Sequence, residues 1–348
     1  MTNVPQSRAK IMTELRASLL SWYECHRRDL PWRRSRDPYA IWVSEIMLQQ
    51  TRVAAVAERY SAFLKRFPSV RALAAAAEED VLALWSGLGY YRRARMLHKA
   101  AQVVVSSPSG AMPETAEDLR ALPGVGAYTS AAIASIAYGE PVSVVDGNVE
   151  RVLCRLAGWN ADRGHTRKVE QLAAQFLDKE RPGEFNQALM ELGATVCLPR
   201  NPQCLTCPIA QGCKTRGEHK TAARRRSLVR EVAYALCLRR RGNSRDSGRE
   251  EILLEQRPPT VTVMPRMWEL PPLREALGKH VRLTVRHAIM NVNYVVRIRD
   301  VREDELGDMT AAGGERRWVP LTEAGAMALT GLARKVLKRV MSPSREPA

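Results

Sequence analysis

No stretch of this chain is apolar for long enough to cross a bilayer. The opening residues, Met1 to Lys10, hold no apolar segment of the kind that directs secretion, so no signal peptide is expected. Aromatic residues are scarce, at 6 %, and acidic ones are in deficit, with 37 Asp and Glu against 54 Lys and Arg. The cysteines do not suit a disulfide framework: 7 is an odd number, and Cys25, Cys154 and Cys237 are scattered. Together these absences exclude a membrane-spanning helix and fit a reducing compartment.

What is present is length and positive charge. The 348 residues are too many for one ordinary domain and comfortable for two, and 45 % hydrophobic content supports proper cores. The formal charge of +17 is carried mainly by Arg in both halves of the chain. A basic surface is often no more than a solvated one. Arg, however, offers a planar fork of donors that fits phosphate, so a polyanion is the expected partner, nucleic acid foremost.

From Ile11 to about Gln211 apolar residues recur every three or four positions, as in Val53–Phe67, Val81–Trp85 and Thr129–Ala137. Short turn signals such as Phe67-Pro68-Ser69 and Ser107-Pro108-Ser109-Gly110 separate them. An all-α domain over 8–213 is expected. Lys214, Arg216, Lys220, Arg224, Arg225, Arg226 and Arg230 then mark a basic linker, 214–230, either a phosphate-tracking segment or a plain tether. Beyond it the period becomes two, in Val232–Leu238, Ile252–Leu254 and Arg282–Arg299, with a hairpin loop expected at Gly242–Gly248. Helices are expected over Leu321–Leu329 and Leu332–Val340, which makes 231–342 a second, α+β domain.

Cys197, Cys204, Cys207 and Cys213 follow C-x6-C-x2-C-x5-C, interrupted by Pro199, Pro202 and Pro208. Four thiolates this close can converge on one metal centre without a long loop closure. Zinc is the structural competitor, but its sites usually show two short ligand pairs. One short pair with two single outer members suits an iron–sulfur cubane, whose corners lie further apart. Such a cluster can staple a loop and present Arg200 and Lys214 without doing redox chemistry.

Leu122-Pro123-Gly124-Val125-Gly126 lies between two helical segments, the first with a capping signal at Thr115 and Asp118. Most Gly-x-Gly turns are ordinary turns. Here Leu122, Gly124, Val125 and Gly126 precede a helix whose free N–H groups could seat a phosphate. Asp146, after an apolar run and before Gly147, reads first as a helix cap. Glu45 is flanked by Ile41, Trp42, Ile46 and Met47, a setting that would raise its pKa.

Several stretches now form a set: Arg28-Asp29-Leu30-Pro31-Trp32-Arg33, Ser44–Thr51, Trp85–Tyr91, Leu122–Thr129, Asp146-Gly147-Asn148, Phe185–Gly193 and the four cysteines. In order and kind they resemble the MutY family, the adenine DNA glycosylases of the endonuclease III or helix-hairpin-helix superfamily, over about Arg28 to Cys213. The resemblance implies an all-α helix-hairpin-helix domain with a [4Fe-4S] cluster on Cys197, Cys204, Cys207 and Cys213. It implies that Glu45 protonates the departing adenine and then helps activate water, while Asp146 stabilises the oxocarbenium-like sugar. Tyr128 and Asn148 would orient groups around that sugar. Arg28 and Leu48 would line the pocket of the flipped adenine, and Arg33, Thr51 and Glu191 are further expected contacts to substrate or DNA. Gln50 and Tyr90 would wedge into the duplex.

Relatives that also cleave the strand use a lysine amine where this chain has Tyr128. Base removal without efficient strand cleavage is therefore expected, on double-stranded DNA containing A:8-oxoguanine or A:G mispairs. Leu253–Pro258, Met267–Pro271 and Val285-Arg286-His287 resemble the family's C-terminal Nudix-like domain, which recognises 8-oxoguanine. The Nudix box that would hold catalytic magnesium is missing, so this domain should bind rather than hydrolyse. Where many members place Phe-Ser-His, this chain has Ile289-Met290-Asn291; Asn291 could hydrogen-bond a base or mark a strand edge or turn, and the departure bears on the strength of 8-oxoguanine preference, not on adenine removal. The protein is expected to be a cytoplasmic, nucleoid-associated monomer with no membrane partner. The competing readings are a lyase for damaged pyrimidines, as in endonuclease III, and a DNA-binding iron–sulfur protein without catalysis.

Overall fold

The structure, a computed structural model, describes residues 4–160, 165–218, 228–240, 250–274, 281–289, 292–309 and 314–341. Through residue 195 the described chain is a series of helices: α1 (Val4–His26), α2 (Pro38–Leu48), α3 (Val53–Arg66), α4 (Val70–Ala74), α5 (Glu78–Trp85), α6 (Arg92–Ser106), α7 (Ala116–Arg120), α8 (Ala127–Ala137), α9 (Gly147–Ala157), α10 (Thr166–Phe176) and α11 (Pro182–Thr195). No described helix is long and apolar enough to cross a membrane. Two compact units emerge from the contacts: 1–74 with 99–223, and 75–98 with 224–348. Residues 75–98, within the expected helical domain, thus pack with the C-terminal unit.

In the first unit, α2 begins at an Asp37 cap that accepts from the Tyr39 N–H at 3.1 Å, with Pro38 at the first helical position. Every residue from Tyr39 to Met47 is buried. A helix apolar on all sides belongs inside, and α2 packs against α3 and α8. Helix α8 is small-residue rich (Ala127, Ser130, Ala131, Ala132, Ala134, Ser135), and it packs against α2, α7 and α11. Leu15, Leu19 and Tyr23 of α1 meet Val152 and Leu153 of α9 and Phe185, Leu189 and Leu192 of α11 in the main core. Helix α9 ends at Gly158, φ 70°, where the Trp159 N–H returns to the Cys154 carbonyl at 2.8 Å.

Among the described residues, the second unit forms two four-stranded sheets. Strands β1 (Leu228–Leu236), β2 (Leu238–Arg240), β3 (Glu250–Gln256), β4 (Trp268–Glu269), β5 (Pro272–Leu273), β6 (Leu283–Ile289), β7 (Val292–Asp300) and β8 (Arg316–Pro320) form them. The first sheet has the order β5-β1-β7-β6; β1 runs parallel to β7, from Leu228↔Val292 to Leu236↔Asp300. The second joins β2, β3 and β4, with β8 on β3. The alternating run Val232–Leu238 therefore divides at Cys237, between strands of different sheets. Leu228–Arg230, counted with the linker, already pair with β7. Residues 219–227 and the expected loop at 242–248 lie outside the described residues.

Two short helices, α12 (Leu306–Met309) and α13 (Leu321–Ala324), precede α14 (Gly331–Met341). Leu332, Ala333, Val336 and Leu337 of α14 cover Val285, Val296 and Ile298 of the first sheet. The helix expected over Leu321–Leu329 stops at Ala324. Beyond it the backbone pairs with β4: the Trp268 N–H donates to Ala328 O and the Thr330 N–H to Trp268 O, each at 2.9 Å. This extended pairing satisfies the buried backbone of Ala328–Thr330 in place of helical bonds.

Gly183 lies where α11 comes close to the backbone of α8. A Cβ there would lie 2.5 Å from Ser135 O and 2.8 Å from Ile136 Cα. Gly183→Ala is expected to cost about 1–3 kcal/mol through overpacking against backbone. A thermal melt reads this as a lowered Tm; an unchanged Tm would show that α11 can move aside freely.

Candidate active site

Glu45 sits within the buried stretch Tyr39–Met47 of α2, 5 % exposed. From the first turn of α8, the Tyr128 hydroxyl donates to Glu45 Oε2 at 2.7 Å and lies 3.4 Å from Met190 Sδ. Burial pushes the Glu45 carboxyl up to about 7; the Tyr128 bond and the Arg33 charge oppose this, and the Asp146 charge adds to it. The group therefore exchanges its proton near neutrality, as a general acid must. Burial and the charge of Glu45 hold the Tyr128 phenol far above its ordinary value, so it acts as a neutral donor.

Asp146 caps α9. Its Oδ1 accepts from the backbone N–H groups of Asn148 (2.9 Å) and Val149 (2.7 Å), and its Oδ2 from the Asn148 side-chain amide (2.9 Å). The Asn148 side-chain Oδ1 in turn accepts from Arg151 at 2.9 Å. Gly193 permits this geometry: a Cβ there would stand 2.7 Å from Asn148 Cβ. The site thus has two carboxyl groups in different settings, one dry and proton-holding, the other fixed at a helix N-terminus.

Glu191 of α11 is buried, and it gathers both arginines of the early motif. Arg28 grips it with Nε and Nη2, each at 2.7 Å, and Arg33 adds a bond of 2.8 Å. Burial alone would raise the Glu191 carboxyl, but the bonds from Arg28 and Arg33 and the Arg33 charge bring it down to about 2. Leu48 is half-buried at the end of α2 and Gln50 is exposed, with φ 56°. Thr51 is bonded locally, its hydroxyl donating to Gln49 O at 3.3 Å.

Between α7 and α8, Leu122 and Val125 are buried while Gly124 (φ 77°) and Gly126 are exposed. Thr115 caps α7, accepting from the Asp118 N–H at 3.1 Å and donating to the Asp118 carboxylate at 2.7 Å. Tyr90 belongs to the second unit and is 49 % exposed. Asn291 lies outside the described residues. A wide cleft of about 990 Å³ beside α1, lined by Arg16, Glu24, Lys179 and Arg181 among others, contains none of these residues.

Cys197, Cys204, Cys207 and Cys213 are unpaired and half-buried, and all four line one small cavity of about 30 Å³. Among the described residues no three His, Cys, Asp or Glu are gathered tightly enough for a single metal ion. Arg155 stands beside the cysteines. It is buried, lies 3.3 Å from Cys197 Sγ, and donates to Leu198 O (2.7 Å) and Pro199 O (3.1 Å). Its Nε has no hydrogen-bond partner among the described residues. Four soft donors around a void, with a buried cation to offset their charge, fit a thiolate-ligated centre.

Arg151 and Arg155 were not picked out in the sequence. Arg151 donates to Cys197 O (2.8 Å), Gly193 O (2.6 Å) and Asn148, so it ties the cap of α9 to the cysteine loop. Their spacing of four along α9, beginning three after Asn148, was the available signal.

Residues 43–179 match the family described as HhH-GPD superfamily base excision DNA repair protein. The chain is 52 % identical over 217 residues to an adenine DNA glycosylase of Homo sapiens, a match covering 59 % of this chain and 40 % of that protein. It is 46 % identical over 194 residues to an adenine DNA glycosylase of Mycolicibacterium smegmatis, covering 55 % and 66 %. The chain spans about half the length of the curated relatives it matches. Among solved structures, a thermostable thymine-DNA glycosylase is similar with a TM-score of 0.57 at 29 % identity, covering 60 % of this chain and 98 % of that one.

The Glu191 cluster has a measurable acid signature. A carboxyl lowered to about 2 stabilises the fold above its ordinary value near 4.5, and that contribution disappears as pH falls towards 2. Over this window urea unfolding should lose about 3 kcal/mol through this group alone. Glu191→Gln should flatten that slope. An equally steep acid slope in the variant would show that Glu191 does not carry it.

Proposed function

We propose, from the premise that the chain belongs to the HhH-GPD superfamily of base excision DNA repair proteins, that it hydrolyses the N-glycosidic bond of adenine mispaired with 8-oxoguanine or guanine. The observation that carries this reading is the buried Glu45 carboxyl, poised near pH 7 by burial, bonded to Tyr128 and within reach of the Asp146 charge. Glu45 delivers its proton to the departing adenine. Asp146, fixed by three hydrogen bonds, stabilises the positive charge that develops on the sugar. Glu45, now a carboxylate, accepts a proton from the attacking water. Asn148 and Tyr128 keep the two carboxyl groups in place. No amine stands at Tyr128 to form a Schiff base, so the enzyme leaves an abasic site without cutting the strand.

Arg28, Leu48 and the Arg33–Glu191 pair line the pocket of the extruded base. The Leu122–Gly126 turn seats a backbone phosphate on the N-terminus of α8. Gln50 of the first unit is a wedge into the duplex, and Tyr90 of the second unit is another. The sheet unit acts as a Nudix-like reader of the opposite base, with Asn291 as a contact. Cys197, Cys204, Cys207 and Cys213 hold a [4Fe-4S] cluster, with Arg155 as its charge partner. When bound, the cluster cross-links the loop and presents its basic residues to DNA.

Duplexes with A opposite 8-oxoguanine, A opposite G, or thymine glycol test this directly. Strand breaks at the adenine should appear only after alkali, and the single-turnover rate should fall about tenfold per pH unit above 7, as Glu45 loses its proton. Alkali-independent breaks at thymine glycol, or a rate that keeps rising through pH 8, would overturn the assignment.

The cluster gives a second test. Purified protein should be brown and contain about four iron atoms per chain. A colourless preparation with one zinc per chain would sink the cluster assignment.

A further inference from the structure

The turn Ser86-Gly87-Leu88-Gly89-Tyr90-Tyr91 has an unusual backbone. Gly87 (φ 100°), Gly89 (φ 70°) and Tyr90 (φ 49°) are all left-handed. Glycine accepts this freely, but a bulky residue such as Tyr90 rarely does. Such a conformation persists at an exposed position only when the surroundings over-determine it. Arg93, one turn on, donates to Leu88 O (3.2 Å) and Gly89 O (3.1 Å), with its guanidinium 5.6 Å from the centre of the Tyr90 ring. The Trp85 indole N–H donates to the same Gly89 carbonyl at 3.2 Å.

The flanks of the turn are fastened to the sheet unit. The Ser86 hydroxyl donates to Leu329 O at 3.1 Å, and the Tyr91 hydroxyl donates to the same oxygen at 2.9 Å. Arg334 of α14 donates through Nε to Ser86 Oγ at 2.8 Å and through Nη2 to Gly325 O at 3.2 Å. Ser86 and Leu329 are fully buried and Tyr91 nearly so. Leu329 is in turn fixed by the backbone bonds that Ala328 and Thr330 share with Trp268 of β4. Arg95 adds a second tie, to Pro265 O at 2.6 Å.

We infer that Ser86, Tyr91 and Arg334 are positioning residues through which the sheet unit holds Tyr90 ready to enter a base stack. The unit that reads the opposite base would then also present the aromatic wedge, and recognition and insertion become one rigid act. A ring fixed beforehand loses little freedom on binding. This inference rests on the glycosylase reading and goes beyond it by assigning the wedge to the second unit.

The test uses the full chain and a duplex with adenine opposite 8-oxoguanine and a 2-aminopurine neighbouring the 8-oxoguanine. Binding of the unaltered protein should raise 2-aminopurine fluorescence as the stack opens. Ser86→Ala/Tyr91→Phe should reduce that rise to the level of Tyr90→Ala and weaken Kd roughly tenfold, the scale for losing buried hydrogen bonds. Adding Tyr90→Ala to this pair should bring no further loss, which a merely structural role would not produce. Tyr91→Phe alone, which keeps the ring, supplies the same comparison if the double variant melts early. A full fluorescence rise in the variants, or losses that add to Tyr90→Ala, would overturn the inference. If the unaltered protein opens the stack but leaves the adenine in place, the glycosylase reading fails while the wedge assignment stands.

Discussion

A carboxylic acid kept dry governs the rest of this structure. Glu45 exchanges its proton near neutral pH because α2 is buried from Tyr39 to Met47 inside the fold. That burial requires a partner for the acid's oxygens, and Tyr128 supplies one from α8. It also requires α8 to come close to α2, which the small side chains of α8 allow. The chemistry and the packing therefore follow from one constraint: an ionisable group has been placed where water cannot compensate its charge.

Helix α9 is the second organising element. Its N-terminus fixes Asp146, and its body carries Arg151 and Arg155 towards the cysteine loop. The same eleven residues thus fix a carboxylate at one end and contact Cys197 and Cys213 along the side. Arg151 holds Asn148, Gly193 and Cys197 with one guanidinium, a geometry that suits the planar, multi-donor Arg and not Lys.

Much of this was legible in the sequence wherever the cause is local. The apolar neighbours of Glu45, the Asp-Gly junction at Asp146, the Thr115 cap and the cysteine spacing all act within a few residues. What depends on distant partners left no such mark. Glu191 meets Arg28 across 163 positions, and neither residue has a neighbour that announces the other. The glycines at 183 and 193 look like ordinary helix residues until the opposing backbone is seen. Residues 75–98 have the same helical pattern as their flanks, yet they pack with the sheet unit through Ser86 and Tyr91, whose acceptor is a backbone carbonyl and so has no side-chain signature. The apolar run to Leu329 favoured a helix, but pairing with β4 satisfied its backbone instead.

Gly126, like Gly147, differs from the closely packed glycines 183, 193 and 212 of the helical unit. Its φ of −95° is open to any residue, and an added Cβ would meet nothing within 4 Å. The protein's own packing therefore does not demand glycine at that position. A variant library sorted by thermal stability would pass almost any small residue at 126 as silent. On the proposed phosphate-seating role of this turn, a sort that includes a nucleic-acid ligand would register the change, so the two kinds of selection would report different tolerance at a single turn.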